Sequence, residues 1–340
     1  MPLRTRLTQR LGIRHPVLLA PMANVAGGRL AAAVTHAGGL GLIGGGYGDA
    51  VWLAREFAAA GNARVGCGFI TWSLARQPEL LDQVLAHAPA AIMLSFGDPA
   101  PFLQQIKASG SALLCQVQTV AHARMALTAE ADIVIAQGTE AGGHGGARAT
   151  LTLVPEVADI IARESPDTLL VAAGGIADGR GLAAALMLGA DAVMLGSRFW
   201  ASPEALIHPN HQRVAVATDG DGTVRQTAAD IARGFHWPGE FSGRILRNAF
   251  AQRWHGREAE LRVQAASARA AYLAAIEEGR TDEAGIFIGE AIGLIHDVRP
   301  AAAIMENVVG EAENLLRDRA PSLLTHRNRR ENPTKLPTSG

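Results

Sequence analysis

Cysteine is nearly missing from this chain: Cys67 and Cys115 are its only two, far apart and in no C-x-x-C spacing. That excludes a disulfide scaffold and a thiolate zinc site, and it fits a reducing compartment. Each lies in an apolar run, so both read as small buried core residues. Charge of one sign is lacking too. With 31 basic and 32 acidic residues the net charge is −1, so no global field draws the chain to nucleic acid or to an anionic membrane. No apolar run reaches the roughly 18 residues of a membrane span. The polar start, residues 1–10, has no signal-peptide core. The expectation is a soluble cytoplasmic protein with neither a membrane nor a nucleic-acid partner. None of the 11 histidines falls in H-x-x-x-H or H-E-x-x-H spacing, so no metal is expected.

Glycine is plentiful, 38 residues, and most of it follows apolar runs directly. Such runs over 16–22, 40–44, 64–70, 90–96, 112–117, 132–137, 169–173 and 191–195 read as strands. Helical patterns over 29–37, 49–60, 78–87, 99–109, 119–129, 154–163 and 178–188 separate them, the last with Asp178 as N-cap. Strand alternating with helix predicts a parallel sheet with crossover helices. Eight such units in roughly 200 residues match the count and size of a TIM (β/α)8 barrel. The rival, an open dinucleotide-binding sheet, would carry G-x-G-x-x-G after its first strand; this chain has Pro21-Met-Ala-Asn24 there.

The rhythm stops after residue 200. Residues 208–223 read as a polar loop and 235–241 as an aromatic turn, with helices expected over 244–254, 257–278 and 283–296. The barrel is therefore assigned to 1–200 and a mainly helical insertion near its mouth to 201–300. A closing outer helix is placed in 301–318. The tail, 319–340, is polar, Pro-containing and basic, and reads as disordered, with a nucleic-acid arm as the competing reading.

A TIM barrel delivers every strand's C-terminal loop to one face, where active sites sit. The sixth strand ends in Gln137 and a loop in which Gly142, Gly143, Gly145 and Gly146 flank His144. Glycine lets backbone approach a ligand closely, and an ionisable group among glycines points to a site, against the plainer reading of a mobile surface loop. Gly174-Gly175 ends the seventh strand and Gly196-Ser197 the eighth. That is where such barrels bind phosphate on backbone N–H groups; tight strand-to-helix packing is the alternative. Phosphate there, an amide at Gln137 and a base at His144 suit FMN lying across the mouth, its ring edge near Met22.

These same residues carry a family resemblance. Ala20-Pro-Met-Ala-Asn24, Ala37-Gly-Gly-Leu-Gly41, Gln137-Gly-Thr-Glu-Ala-Gly-Gly-His144, Ala173-Gly-Gly-Ile176, Leu188-Gly-Ala-Asp191 and Gly196-Ser-Arg-Phe199 resemble nitronate monooxygenase, also called 2-nitropropane dioxygenase. The likeness covers about residues 10–200, with 289–296 and the final helix similar as well. It implies FMN contacts from Met22, Gln137, Gly142, Gly175 and Met194-Leu195-Gly196-Ser197, with Gln116 and Gly174 as further candidates. It makes His144 the active-site base of a flavoprotein oxidoreductase. The implied reaction oxidises a nitronate or nitroalkane with molecular oxygen to a carbonyl compound and nitrite. The chain departs from the family at Gly68, where many members have Asn, a contact that Asn24 is a candidate to replace; 200–260 is unfamiliar too.

Other functions share these features. A flavin reductase using NAD(P)H on quinones or enoyl thioesters would have the same motif. A flavin-free barrel acting on a phosphorylated metabolite would have the same glycine turns. A pure binding protein leaves those turns unexplained. The physiological substrate, the use of NAD(P)H and the oligomeric state stay open at this stage.

Overall fold

The eight apolar runs pair into one parallel sheet in the computed structural model, which describes residues 3–325. In chain order its first six strands are β1 (Val17–Leu19), β2 (Leu42–Gly46), β3 (Gly66–Ile70), β4 (Ala91–Ser95), β5 (Ala112–Val117) and β6 (Ile133–Gln137). A short strand of a different sheet follows, β7 (Gly143–Gly145), and then the last two barrel strands, β8 (Leu169–Ala173) and β9 (Ala192–Leu195). Neighbours run β1-β9-β8-β6-β5-β4-β3-β2. The ring closes where Leu18 bridges Leu40, the Leu19 N–H donating to the Leu40 carbonyl at 2.9 Å. The chain is a TIM (β/α)8 barrel. The first strand ends at Leu19, earlier than its apolar run suggests, because Pro21 has no N–H to give a ladder.

Every residue of β2, β3, β4, β6, β8 and β9 is buried, as expected for parallel strands covered on both faces. Strand alternation sorts them into two layers. Leu18, Leu42, Met93, Leu114, Val171 and Met194 fill the barrel, while Val17, Ile43, Ile92, Val134, Val193 and Leu195 face the helices. A fully buried leucine contributes about 2 kcal/mol. Cys67 and Cys115 belong to the outer layer, and burial pushes both thiols up to about 12, out of nucleophilic range. Outer helices start at polar caps: Asp49 accepts from the Trp52 N–H, Thr119 from His122 and Asp178 from Gly181. The helix Ala301–Asn314 packs between Gly179–Met187 and Gly28–His36, in the position of an eighth outer helix. It runs on through Leu315–Arg319 and Ala320–Thr325, past residue 319, where the sequence reads as disordered. Extending an existing helix avoids the nucleation cost. Residues 326–340, the rest of the expected tail, lie outside the described residues. Among those described, no helix is long and apolar enough to cross a membrane.

Residues 201–300 hold helices and also strands that local pattern missed. The expected loop over 208–223 contains the helix Pro209–Val216 and leads into β10 (Thr223–Gln226). The expected helix over 244–254 splits into β11 (Ser242–Leu246) and the helix Ala249–Trp254, capped by Asn248. The pattern over 257–278 becomes two helices, Glu258–Val263 and Ala265–Glu277, and 283–296 is irregular apart from a single 3-10 stretch at Glu290–Leu294. The physical reason is pairing: β10 and β11 form an antiparallel hairpin, and β11 also pairs with β7. Ladder partners far down the chain outweigh local helix propensity. This cover has its own core, with Ile245, Phe250, Trp254, Leu261 and Tyr272 at its centre.

Candidate active site

The carboxyl ends of the barrel strands and the underside of the cover enclose a cavity of about 790 Å³. That lies within the range of about 300–1,000 Å³ usual for ligand pockets. Its floor is made by the strand ends. Met22 follows β1, Gln116 lies near the end of β5, Gln137 ends β6, and Met194 sits in β9 with its side chain in the barrel layer. Gly142, Gly174, Gly175, Gly196 and Ser197 line the same surface. Leu195 does not. Strand alternation turns its side chain into the helix-facing layer, and its carbonyl accepts from the Ala20 N–H at 3.0 Å.

The floor has little charge and much backbone. Gly174 and Gly175 take φ of +99° and +73°, a left-handed path that costs other residues about 1–2 kcal/mol each. The Glu140 carboxylate behind this turn is committed to the N–H and hydroxyl of Thr150, at 2.8–3.0 Å. This long-range cap explains why the helix Thr150–Glu164 begins before its apolar pattern. The Ser197 hydroxyl accepts from the Gly289 N–H at 3.0 Å and keeps its own proton for another acceptor. Gln137 takes hydrogen bonds from Gln116 at 3.1 Å and Gln118 at 3.0 Å, and gives one to the His144 carbonyl at 3.1 Å. One amide thus ties the floor to the histidine.

His144 sits on β7, opposite Gly243 of β11, so its position is set by the hairpin of the cover. Arg225 on β10 clamps the loop by donating to the carbonyls of Thr139, Gly145 and Ser242. The His144 Nε2 lies 2.8 Å from an oxygen of Asp230, which is buried and bonded at its other oxygen to Arg233 at 2.6 Å. A carboxylate only accepts, so Nε2 carries the proton and Nδ1 the lone pair. Trp237 stacks on the imidazole, ring centroids 3.5 Å apart and 7° from parallel. Arg233 lies 4.6 Å over the Phe287 ring. Tyr47, past the end of β2, stacks on Phe235 at 3.7 Å and takes the Trp237 indole N–H at 2.9 Å. Burial lowers the His144 pKa below its ordinary value, and Asp230 opposes that shift without reversing it. The ring is therefore neutral near pH 7, with an available base nitrogen.

No local signal in the sequence marks Asp230, Arg233, Trp237 or Tyr47 as part of the site. The aromatic turn at 235–241 was visible as a turn, but nothing local says that it covers His144. The departure at Gly68 has a direct cause: a Cβ there would lie 2.3 Å and 2.5 Å from ring carbons of Pro21. Asn24, at φ 58°, lines the cavity nearby.

The fit to FMN rests on this chemistry. The floor offers glycine backbone and a hydroxyl for a phosphate, two amide side chains, and apolar methionines for a flat ring, within a cavity of sufficient size.

Comparison with known proteins gives a consistent family. The nitronate monooxygenase family model matches residues 4–65 and 69–311, breaking at the segment that contains Gly68. A nitronate monooxygenase of Neurospora crassa is 32% identical, over 89% of this chain and 91% of that protein. The structure of FabK from Thermotoga maritima superposes with a TM-score of 0.82 at 32% identity, covering 94% of this chain and 99% of that one. A nitroalkane oxidase from Streptomyces ansochromogenes gives 0.74 at 27% identity, over 94% of this chain and 99% of its own. This chain, an oxidoreductase, belongs to the nitronate monooxygenase family.

Proposed function

We propose that the protein is an FMN-dependent enzyme that oxidises nitronates, and the nitroalkanes that ionise to them, with molecular oxygen to carbonyl compounds and nitrite. The observation that carries this reading is the His144–Asp230 pair buried at the cavity wall. A nitroalkane has an acidic C–H beside its nitro group, and a neutral imidazole in a dry site is suited to remove that proton. In the proposed step Nδ1 of His144 takes it. Asp230 then stabilises the imidazolium through Nε2–H, and Arg233 holds the carboxylate in place. The resulting cationic cluster faces the new nitronate anion. Trp237 and Phe287 keep water from the base.

Met22, Gln116, Gln137, Gly142 and Met194 would hold the ring and ribityl part of FMN, with Gly174, Gly175, Gly196 and Ser197 around its phosphate. Bound there, FMN would supply a reversible electron acceptor between substrate and molecular oxygen.

The same cavity, with its apolar mouth, also has room for an acyl thioester. That favours a second reading, an NAD(P)H-dependent reductase of enoyl thioesters or quinones. An anaerobic absorbance experiment separates the two. Bleaching of the flavin by nitroethane or its nitronate, with no fast bleaching by NADH or NADPH, is the expected result. Fast bleaching by a nicotinamide and none by the nitronate would overturn the first reading in favour of the second.

A further inference from the structure

The cavity's lining is of two unlike kinds. His144, its side chain 10% exposed, hydrogen-bonds the buried Asp230 beneath the Trp237 ring. Leu206, Leu273 and Ile276 line the same cavity while 43%, 49% and 37% exposed. Three large aliphatic side chains left partly open on this lining form an apolar threshold for something the chain does not itself supply. Leu206 is held there by its N–H on the Val25 carbonyl at 3.0 Å, and the other two lie on the helix Ala265–Glu277.

His211, from the helix Pro209–Val216, lines the same cavity. It is 3% exposed, and its Nε2 has no hydrogen-bond partner. A buried, unpaired nitrogen is destabilising, and native proteins rarely leave one without a reason. The backbone of Arg280 acts on the ring as an acceptor and favours an N–H on it. Because Nε2 makes no bond, that contact belongs to Nδ1–H, which leaves the lone pair on Nε2. Burial lowers the pKa of this ring as well, so it stays neutral and accepting near pH 7. Glu277, exposed at the same mouth, disfavours an anionic tail there.

Building on the nitronate reading, we propose that Nε2 of His211 is a specificity subsite that accepts a hydrogen bond from a substrate hydroxyl. The preferred substrate class is then a nitro compound with a neutral, apolar chain or ring system bearing a hydroxyl. Its chain lies along Ile207 and the threshold of Leu206, Leu273 and Ile276, and its nitro-bearing carbon reaches His144.

The test uses the full chain loaded with FMN and a homologous series of ω-nitro alcohols with their methyl ethers, which keep the length and lose the donor. At the best chain length the alcohol should exceed its ether in kcat/KM by about tenfold, the worth of one well-placed neutral hydrogen bond, with the difference in KM. His211→Leu should collapse that ratio toward one, and His211→Gln, which keeps an acceptor, should retain part of it. Equal values for alcohol and ether in the unaltered enzyme overturn the proposal. So does a ratio that survives His211→Leu. Titration calorimetry with plain alkanols and their methyl ethers is run in parallel. An alcohol preference in binding that His211→Leu erases, without turnover of any nitro compound, keeps the subsite and sinks the nitronate reading. No preference in either assay sinks the subsite. Should His211→Leu fail to fold, the unaltered enzyme's ratio and the Gln variant decide.

Discussion

The floor and the roof of the cavity are built from different material. The floor is mostly backbone and amide: the turns Gly174-Gly175 and Gly196-Ser197 with Gln116 and Gln137, all delivered by strand ends of the β/α repeat. The roof is side chains, chiefly Asp230, Arg233, Trp237 and Phe287, carried by a span that abandons the repeat. His144 is where they meet, hung from Gln137 below and held by Asp230 from a position 86 residues away. The contrast separates two tasks. Backbone N–H groups suit a constant anion such as a phosphate, whereas a buried acid–base pair suits a proton that must move. Damage to the roof should therefore reduce turnover with FMN retained, and damage to the floor should loosen FMN.

The largest effect is expected from His144→Ala. Oxidation of neutral nitroethane should fall by about 10³-fold, the scale of a lost general base, while the flavin spectrum persists and a preformed nitronate still reacts. Normal oxidation of nitroethane by this variant would remove His144 from the mechanism.

Asp230→Asn should cost about 10²-fold in kcat, since the imidazole loses its orienting anion. It also has a signature in pH. Burial holds the His144 pKa down and Asp230 pushes it up. The base form therefore survives below the ordinary histidine value of about 6.5, and the acid limb of kcat/KM lies at lower pH than that. Without Asp230 the limb should move lower still. A limb that stays or moves up would show that Asp230 does not act on this ring.

On the floor, Gly175→Ala forces a side chain onto φ +73° and brings its Cβ within 3.2 Å of the Glu140 Cβ. Displacing this turn should weaken FMN binding by about tenfold, taking the strain as 1–2 kcal/mol, and leave the acid limb where it is. Flavin titration of the apoprotein measures the first, and the rate profile of the reloaded enzyme the second.

The smallest catalytic effect is expected at the boundary, from Gly68→Asn. An asparagine there drives a Cβ into the Pro21 ring, an overpacking cost of about 1–3 kcal/mol. A lower melting temperature should result; a variant that melts like the unaltered protein would mean that Pro21 can shift freely.

Much of the barrel was legible because its signals are local. A fully buried strand is a short apolar run, its end is a glycine turn, and a helix start such as Asp178 is a side chain three residues before the N–H it caps. By the same logic the loop carrying His144 and the turns at Gly175 and Gly196 could be named in advance. A motif has no faces, so Leu195 reads like its neighbours in sequence; the strand gives it a face, and turns it toward the helices. The strands β7, β10 and β11 escaped notice because their evidence lies in one another: Gly-His-Gly is a poor strand until Ser242–Arg244 pairs with it.

The sequence alone thus determined the barrel, the face that carries the site, the glycine turns and a histidine among them, since each rests on neighbours a few residues apart. Only the tertiary structure decided that the His144 ring is neutral near pH 7 and which of its nitrogens is free. Desolvation and a carboxylate from a distant helix set its protonation, and both exist only once the cover has closed over the barrel mouth.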